Sequence, residues 1–177
     1  NIMGRFRPYR GSAASSILKL FDMTVASTGL NEKACKEAGI FFDKVVIHPF
    51  SHASYYPGAK DMTVKVLFAP KSGRILGCQI IGFDGVDKRI DVFAAAIQAE
   101  MTAADLEELD LAYAPPYSSA KDPVNLAGYL IENIRTGLLV QFHHDMIPKI
   151  AEMEDAVILD IRTPAEFARG HIAGSVN

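Results

Sequence analysis

A loop from Tyr113 to Pro123 carries side chains suited to chemistry. Its adjacent prolines, Pro115 and Pro116, can neither continue a helix nor donate to a sheet ladder, so we expect an extended, stiff loop. The loop also holds two tyrosines and Lys121. A tyrosine hydroxyl, with a pKa of about 10, remains a neutral hydrogen-bond donor near pH 7 and can pass a proton. On these residues alone, the loop is either a site or a polar surface connection.

A second loop brings Tyr55 and Tyr56 together just after His52. Tyr55 either takes part in chemistry or closes a turn before the following Pro-Gly pair. His52 either lines a site or bonds backbone within its loop. Lys121, in the first loop, either meets a phosphate as a point charge or remains a solvated charge beside a helix cap. Tyr113 either donates to a substrate or anchors its loop on the core.

The elements expected to hold these loops are strands first and helices later. Period-two and apolar patterns predict strands over 17–28, 44–48, 62–69 and 74–83, with Gly73 at the left-handed position of a hairpin. Helical spacing and caps predict helices over 31–38, 87–100, from 102 onward, and over 122–135, with Asn31, Thr102 and Asp122 as N-caps. This order predicts an α+β fold, an antiparallel sheet covered by helices on one face.

After Gly137 the pattern changes. Residues 138–152 are predicted as a helical segment broken by Pro148, followed by a short strand over 156–160. A helix is expected to begin at Thr163-Pro164. This end of the sequence predicts the opening of a second, α/β domain.

Composition excludes several classes of function. The chain has 177 residues, 49% of them hydrophobic and 22% charged, which are values typical of a globular protein. A net charge of -3 gives no basic footprint for nucleic acid, and no apolar run approaches the roughly 20 residues that a spanning helix needs. Cys35 and Cys78 form no metal-ligand pattern and are expected to be buried and unreactive. We therefore expect no metal, no membrane insertion and a reducing cytoplasm.

Several separated motifs carry a resemblance to known families. Residues 10 to about 135 resemble the C-terminal dimerisation domain of FAD-dependent pyridine nucleotide-disulfide oxidoreductases, most closely the coenzyme A disulfide reductase type. The motifs are FDMTVASTGL at 21–30, YYPG at 55–58, DKRID at 87–91 and YAPPYSSAKDP at 113–123. Residues 156–177 resemble the start of a rhodanese domain, through LDIR at 159–162, EF at 166–167 and GHIAGSVN at 170–177.

The resemblance implies a division of the chain. Residues 1–16 would be the linker from a missing FAD domain, 17–136 the dimerisation domain, 137–155 a linker helix and 156–177 a truncated rhodanese domain. The FAD fold, the NAD(P) fold and the redox-active cysteine would precede residue 1, and the rhodanese persulfide cysteine would follow residue 177. The fragment alone is therefore expected to be inactive.

The resemblance also assigns roles within a homodimer that reduces a CoA disulfide, CoA persulfide or polysulfide with NAD(P)H. Tyr55 and Tyr113 would be catalytic, supplied in trans to the partner's active site. His52, Tyr56 and Lys121 would contact the CoA-linked substrate, while Ala114 and Pro115 would lie near the partner's flavin. The alternatives are a domain of an NADH oxidase or peroxidase relative, and a non-catalytic sulfur-carrier or interaction module.

Overall fold

The chain forms two compact units, Asn1–Leu139 and Val140–Asn177. The computed structural model describes residues 4, 8–9, 11–153 and 155–177. Of the linker expected over 1–16, residues 1–3, 5–7 and 10 lie outside the described residues. No helix among the described residues is long and apolar enough to cross a membrane.

The first unit is built on one five-stranded antiparallel sheet. Its strands are β1 Ser16–Leu20, β2 Met23–Gly29, β3 Asp43–Ile47, β4 Met62–Phe68 and β5 Ile75–Gly82. They lie in the order β1-β2-β5-β4-β3. The β4–β5 hairpin turns through Gly73, whose φ of 73° is the left-handed conformation predicted for it.

The single strand predicted over 17–28 is wrong. The chain instead forms two strands, β1 and β2, that pair with each other through a tight turn at Phe21 and Asp22. Phe21 adopts a φ of 53°, a left-handed conformation that glycine or asparagine usually supplies. Because an aromatic residue occupies that position, the sequence carried no turn signal there.

Four helices complete the first unit. They are α1 Glu32–Glu37, α2 Val86–Gln98, α3 Ala103–Glu107 and α4 Pro123–Arg135. The three predicted N-caps are confirmed, since the side chains of Asn31, Thr102 and Asp122 each accept a backbone N–H of the first turn. Each cap satisfies donors that would otherwise have no partner, which is why these local signals located the helices correctly.

The helices bury one face of the sheet, which confirms the α+β class. Helix α2 packs on β2 and β5, and α4 packs on β3 and β4. Alternate residues of β4, Met62, Val64 and Val66, point into the resulting core, where they meet Phe93 of α2 and Ile131 of α4. Two loops carry the tyrosines. One runs from β3 to β4 and the other from α3 to α4, so each loop begins and ends at a strand or helix of the first unit.

The second unit is small. Its described residues form a 3₁₀ turn, His144–Met146, the short helices α5 Ile147–Ala151 and α6 Pro164–Arg169, and a parallel bridge between Leu159 and Val176. Pro148 does not break a helix as expected: it lies in the first turn of α5, where its missing N–H costs nothing. Thr163 caps α6 as predicted. The expected strand over 156–160 is reduced to that bridge.

Candidate functional site

The structure brings two of the predicted site residues into direct contact. The hydroxyl oxygens of Tyr55 and Tyr113 lie 2.9 Å apart and share a hydrogen bond, although 58 positions separate the residues in sequence. Both phenols are exposed, Tyr55 at 74% and Tyr113 at 47%. A pair of accessible, neutral hydroxyls is a donor group that a reacting molecule can reach.

The hydrogen bond changes the acidity of one member of the pair. The bond to Tyr55 raises the pKa of Tyr113, and loss of solvent around the phenol adds to the effect. A phenol with a raised pKa keeps its proton over a wider pH range. Tyr113, which its ordinary pKa of about 10 already keeps protonated near pH 7, therefore stays protonated to a higher pH.

The loop of Tyr55, from β3 to β4, is fixed by its own backbone. The Ser51 N–H donates to the Lys60 carbonyl at 2.8 Å, which closes the base of the loop. Within it, the Tyr56 N–H donates to the Ala53 carbonyl at 2.9 Å. These bonds place Tyr55 at the exposed tip of an ordered turn.

The loop of Tyr113, from α3 to α4, is not extended as its prolines led us to expect. The N–H groups of Tyr117 and Ser118 both donate to the Ala114 carbonyl, at 2.9 and 3.2 Å, so Pro115 and Pro116 lie inside a tight turn. Proline suits this position because its fixed φ matches a helical turn and its missing N–H is not needed there. The turn folds the segment back toward the first loop, and the Ala53 N–H donates to the Ser118 carbonyl at 3.0 Å.

A buried arginine lies beneath both loops. Arg89, in the first turns of α2, is 1% exposed and forms an ion pair with Asp122, itself 2% exposed, at 3.0 Å. Its guanidinium also donates to carbonyl oxygens of Ser51 at 2.8 Å, Gly85 at 3.1 Å and Tyr117 at 3.4 Å. One side chain thus binds the start of the first loop and the end of the second.

Asp122, at the N-terminus of α4, is the ion-pair partner of Arg89. Its carboxylate accepts the Val124 N–H at 3.1 Å, the Ser118 hydroxyl at 2.7 Å and the Arg89 guanidinium. A buried carboxylate is tolerated because every neighbour is a donor and because a helix N-terminus favours negative charge.

The ion-pair partner of Arg89 is Asp122 rather than Asp84, Asp87 or Asp91, the carboxylates nearest to it in sequence. Asp122 lies 33 positions away. No sequence pattern signals this pairing, because nothing in a helix pattern distinguishes an arginine that turns inward from one that pairs along the surface.

The neighbours of Tyr55 have different environments. His52 is 5% exposed, and its Nδ1 lies 3.1 Å from the Ala53 carbonyl, to which it donates. The His52 ring meets the Tyr56 ring edge to face, with 5.8 Å between centroids. Substrate contact by His52 stays a prediction, and its burial favours the alternative that it stiffens the loop. Tyr56 is exposed enough to meet a ligand.

The remaining predicted residues lie along the second loop. The Lys121 ammonium lies 4.3 Å from the centre of the Tyr129 ring, a cation–π contact that the sequence did not reveal. Lys121 stays exposed, and its predicted contact with a phosphate stays a prediction. Ala114 and Pro115 are half-buried beside Tyr113, so the position predicted to face a flavin is an apolar turn.

Two common kinds of cofactor site, a Gly-rich phosphate loop and a metal cluster of three His, Cys, Asp or Glu side chains, are absent from the described residues. The sequence contains no Gly-x-Gly-x-x-Gly loop to hold a dinucleotide phosphate. Among the described residues, no group of three His, Cys, Asp or Glu side chains could hold a metal ion. Cys35 and Cys78 are free and buried, as predicted, and burial raises the pKa of both thiols. Neither thiol is therefore an activated nucleophile.

Comparison with known proteins identifies the family. Residues 15–123 match the family model described as the pyridine nucleotide-disulphide oxidoreductase dimerisation domain, which covers more than half of the chain. The chain belongs to that family. Residues 145–177 match the rhodanese-like domain.

Relatives point to one branch of this family. The chain is 39% identical over 121 residues to coenzyme A disulfide reductase of Staphylococcus epidermidis, an alignment that covers 68% of this chain and 27% of the relative. The crystal structure of reduced Bacillus anthracis CoADR-RHD superposes with a TM-score of 0.92 at 47% identity, over 96% of this chain and 30% of that one. An NAD-dependent persulfide reductase from A. fulgidus gives a TM-score of 0.85 at 39% identity, over 99% of this chain and 31% of that one. The chain therefore spans less than a third of the length of these relatives.

Proposed function

We propose that this chain works as the dimerisation and site-completing part of a flavoprotein that reduces CoA disulfide, CoA persulfide or a polysulfide with NAD(P)H. The observation that carries the proposal is the hydrogen bond between the Tyr55 and Tyr113 hydroxyls at 2.9 Å. The names of the relatives, coenzyme A disulfide reductase and persulfide reductase, support the substrate class.

The tyrosine pair supplies what reduction of a sulfur–sulfur bond requires. Two-electron cleavage of that bond releases sulfur as an anion, which leaves as a neutral thiol only after it takes up a proton. A hydroxyl aimed at the departing sulfur stabilises the charge as it develops and can deliver the proton. Tyr113 is protonated at neutral pH by its ordinary pKa of about 10, and the bond to Tyr55 raises that pKa further.

The cofactors and the reactive cysteine belong, in this proposal, to the rest of a longer protein. FAD and NAD(P)H would bind there, since the described residues form no phosphate-binding loop. The chain would act in a homodimer, with Tyr55 and Tyr113 reaching the partner's site and Ala114 and Pro115 facing the partner's flavin. Tyr56, His52 and Lys121 would contact the CoA-linked substrate. The two free, buried cysteines favour a reducing cytoplasm.

Substitution of Tyr113 by phenylalanine in the full-length protein tests the proposal. Tyr113→Phe removes the hydroxyl and leaves the ring, so we expect turnover of CoA disulfide to fall about 100-fold with little change in thermal stability. Steady-state kinetics with NADH and with NADPH measure the effect.

Tyr117→Phe is the matched control, because Tyr117 lies in the same loop and is also exposed. We expect its turnover to stay within about twofold of the wild-type value. Wild-type turnover in Tyr113→Phe would contradict the proposed role of Tyr113.

A further inference from the structure

We propose that Arg89, buried against Asp122, is a positioning residue that fixes the loops of Tyr55 and Tyr113 relative to each other. Its consequence for turnover rests on the proposed function, whereas its consequence for the tyrosine pair rests on geometry alone. The assignment comes from contacts of one guanidinium with both loops.

The guanidinium reaches each loop near its tyrosine. It donates to the Ser51 carbonyl at 2.8 Å, in the loop that leads to Tyr55. It donates to the Tyr117 carbonyl at 3.4 Å and lies 3.4 Å from the Ser118 hydroxyl, in the loop that follows Tyr113. A single planar group therefore binds both loops.

Neighbouring groups support the contact of Arg89 with the two loops. The Ser118 hydroxyl donates to Asp122 at 2.7 Å, and the Ser118 carbonyl accepts the Ala53 N–H at 3.0 Å. Gly85 leaves room for the guanidinium, because a Cβ at that position would lie 2.1 Å from Nη1 of Arg89. The φ of Gly85 is 67°, which also favours glycine. The space beside Gly85 and the hydrogen bonds of Ser118 therefore both fit the guanidinium of Arg89 in this position.

Lysine could not make this arrangement. Arginine presents five N–H donors in a fixed plane, whereas lysine presents a compact ammonium at the end of a flexible stem. Arg89 uses the full fork, because Nε and Nη2 bind Asp122 while Nη1 and Nη2 bind carbonyls of three separate segments. A lysine would keep the charge and lose the geometry.

The tyrosines themselves are exposed, so the core does not fix them by burial. Their shared hydrogen bond requires two loops, far apart in sequence, to be placed within a few tenths of an ångström. A buried ion pair adds little to net stability after its desolvation cost, which favours a role in specifying geometry.

The test uses Arg89→Lys in the full-length protein, with Arg135→Lys as the matched control. Arg135 likewise binds loop carbonyls, of Pro70 and Lys71, but at the β4–β5 turn. We expect Arg89→Lys to fold, to lose about tenfold in kcat with CoA disulfide, and to return the pKa of Tyr113 toward its ordinary value. NMR of ¹³C-labelled tyrosine follows that pKa, with the Tyr113 signal assigned by its absence in Tyr113→Phe. Arg135→Lys should alter thermal stability at most and leave the Tyr113 signal unchanged.

The Tyr113 signal decides the outcome. An unchanged Tyr113 titration in folded Arg89→Lys would overturn the inference, whatever happens to turnover. If Tyr113→Phe keeps wild-type turnover, the proposed function fails, and a shifted titration in Arg89→Lys still supports the positioning role. If Arg89→Lys does not fold, Ser118→Ala is the second variant, because it removes the hydroxyl that contacts Arg89 and Asp122. A shifted Tyr113 titration in Ser118→Ala supports the inference, and an unshifted one overturns it.

Discussion

At the scale of single residues, the Tyr55–Tyr113 pair depends on atoms outside the tyrosines. Either hydroxyl can donate to the other, and each ring is open to solvent on the exposed side of its loop. The order around them comes from buried polar groups, Arg89 and Asp122, whose donors and acceptors are matched. The two hydroxyls at the surface thus rest on polar groups in the interior.

Removal of the Tyr55 hydroxyl should lower the pKa of Tyr113. Tyr55→Phe deletes the hydrogen bond that raises it, so we expect Tyr113 to titrate closer to about 10, its ordinary value. ¹³C NMR of labelled tyrosine in a pH series measures the change. Tyr56→Phe is the control, since it removes the neighbouring hydroxyl and should leave Tyr113 unaffected. A Tyr113 titration that is the same in Tyr55→Phe and wild type would argue against the bond in solution.

At the scale of elements, charged side chains join α1 to two neighbouring strands of the sheet. The Glu32 carboxylate, in the first turn of α1, pairs with Lys65 of β4 and with Lys44 of β3, the latter at 3.1 Å. The Lys65 contact is the main cause that lowers the pKa of Glu32 to about 2. This cluster fixes α1 against β3, the next element along the chain, and against β4.

Acid should therefore weaken the first unit through Glu32. A carboxyl whose folded pKa lies near 2 and whose unfolded pKa lies near 4.5 stabilises the fold above about pH 4.5, and that contribution is lost as pH falls toward about 2. We expect Glu32→Gln to unfold more easily at neutral pH by about 1–2 kcal/mol and to lose this part of the acid dependence, as measured by urea unfolding at several pH values.

The control for that measurement is Glu37→Gln. Glu37 pairs with Lys33 at 3.8 Å on an exposed helix face, where an ion pair contributes little. Equal losses of unfolding free energy in Glu37→Gln and Glu32→Gln would show that the cluster around Glu32 stabilises the fold no more than an exposed ion pair does.

At the scale of the whole molecule, the described residues leave part of the sheet face opposite α2 and α4 exposed. Leu18, Val25 and Ile81 pair across three adjacent strands and form an exposed apolar row. Such a row is surface that another domain or subunit can bury. It agrees with membership of a family defined by dimerisation.

We expect this chain to self-associate at micromolar concentration. The family is defined by a dimerisation domain, and the exposed apolar row leaves surface that association can remove from water. Sedimentation equilibrium over a concentration series measures the mass. A monomeric mass throughout the micromolar range would contradict self-association of this chain.

Local signals made most of the fold predictable from sequence. Asn31, Thr102 and Asp122 cap helices through groups only two or three positions away, so their effect is visible in a short window. The turn at Phe21 was missed because an aromatic residue took a glycine-like conformation. The site was harder, since Tyr55 and Tyr113 were singled out by family resemblance and not by any periodic pattern.

The buried link between Arg89 and Asp122 was missed entirely. It joins residues 33 positions apart, and nearby carboxylates offered equally plausible partners. Long-range polar pairing of this kind depends on how helices pack, which the hydrophobic period alone does not specify.

The bond between the two phenols also sets a proton count. Two hydroxyls carry two protons, and their mutual bond engages one of them, whichever oxygen donates it. One proton is left to point outward, so in the proposed reaction the pair would protonate one sulfur anion at a time. Before the next anion, a proton would have to return from solvent or from the incoming molecule, and the exposure of both rings leaves that route open.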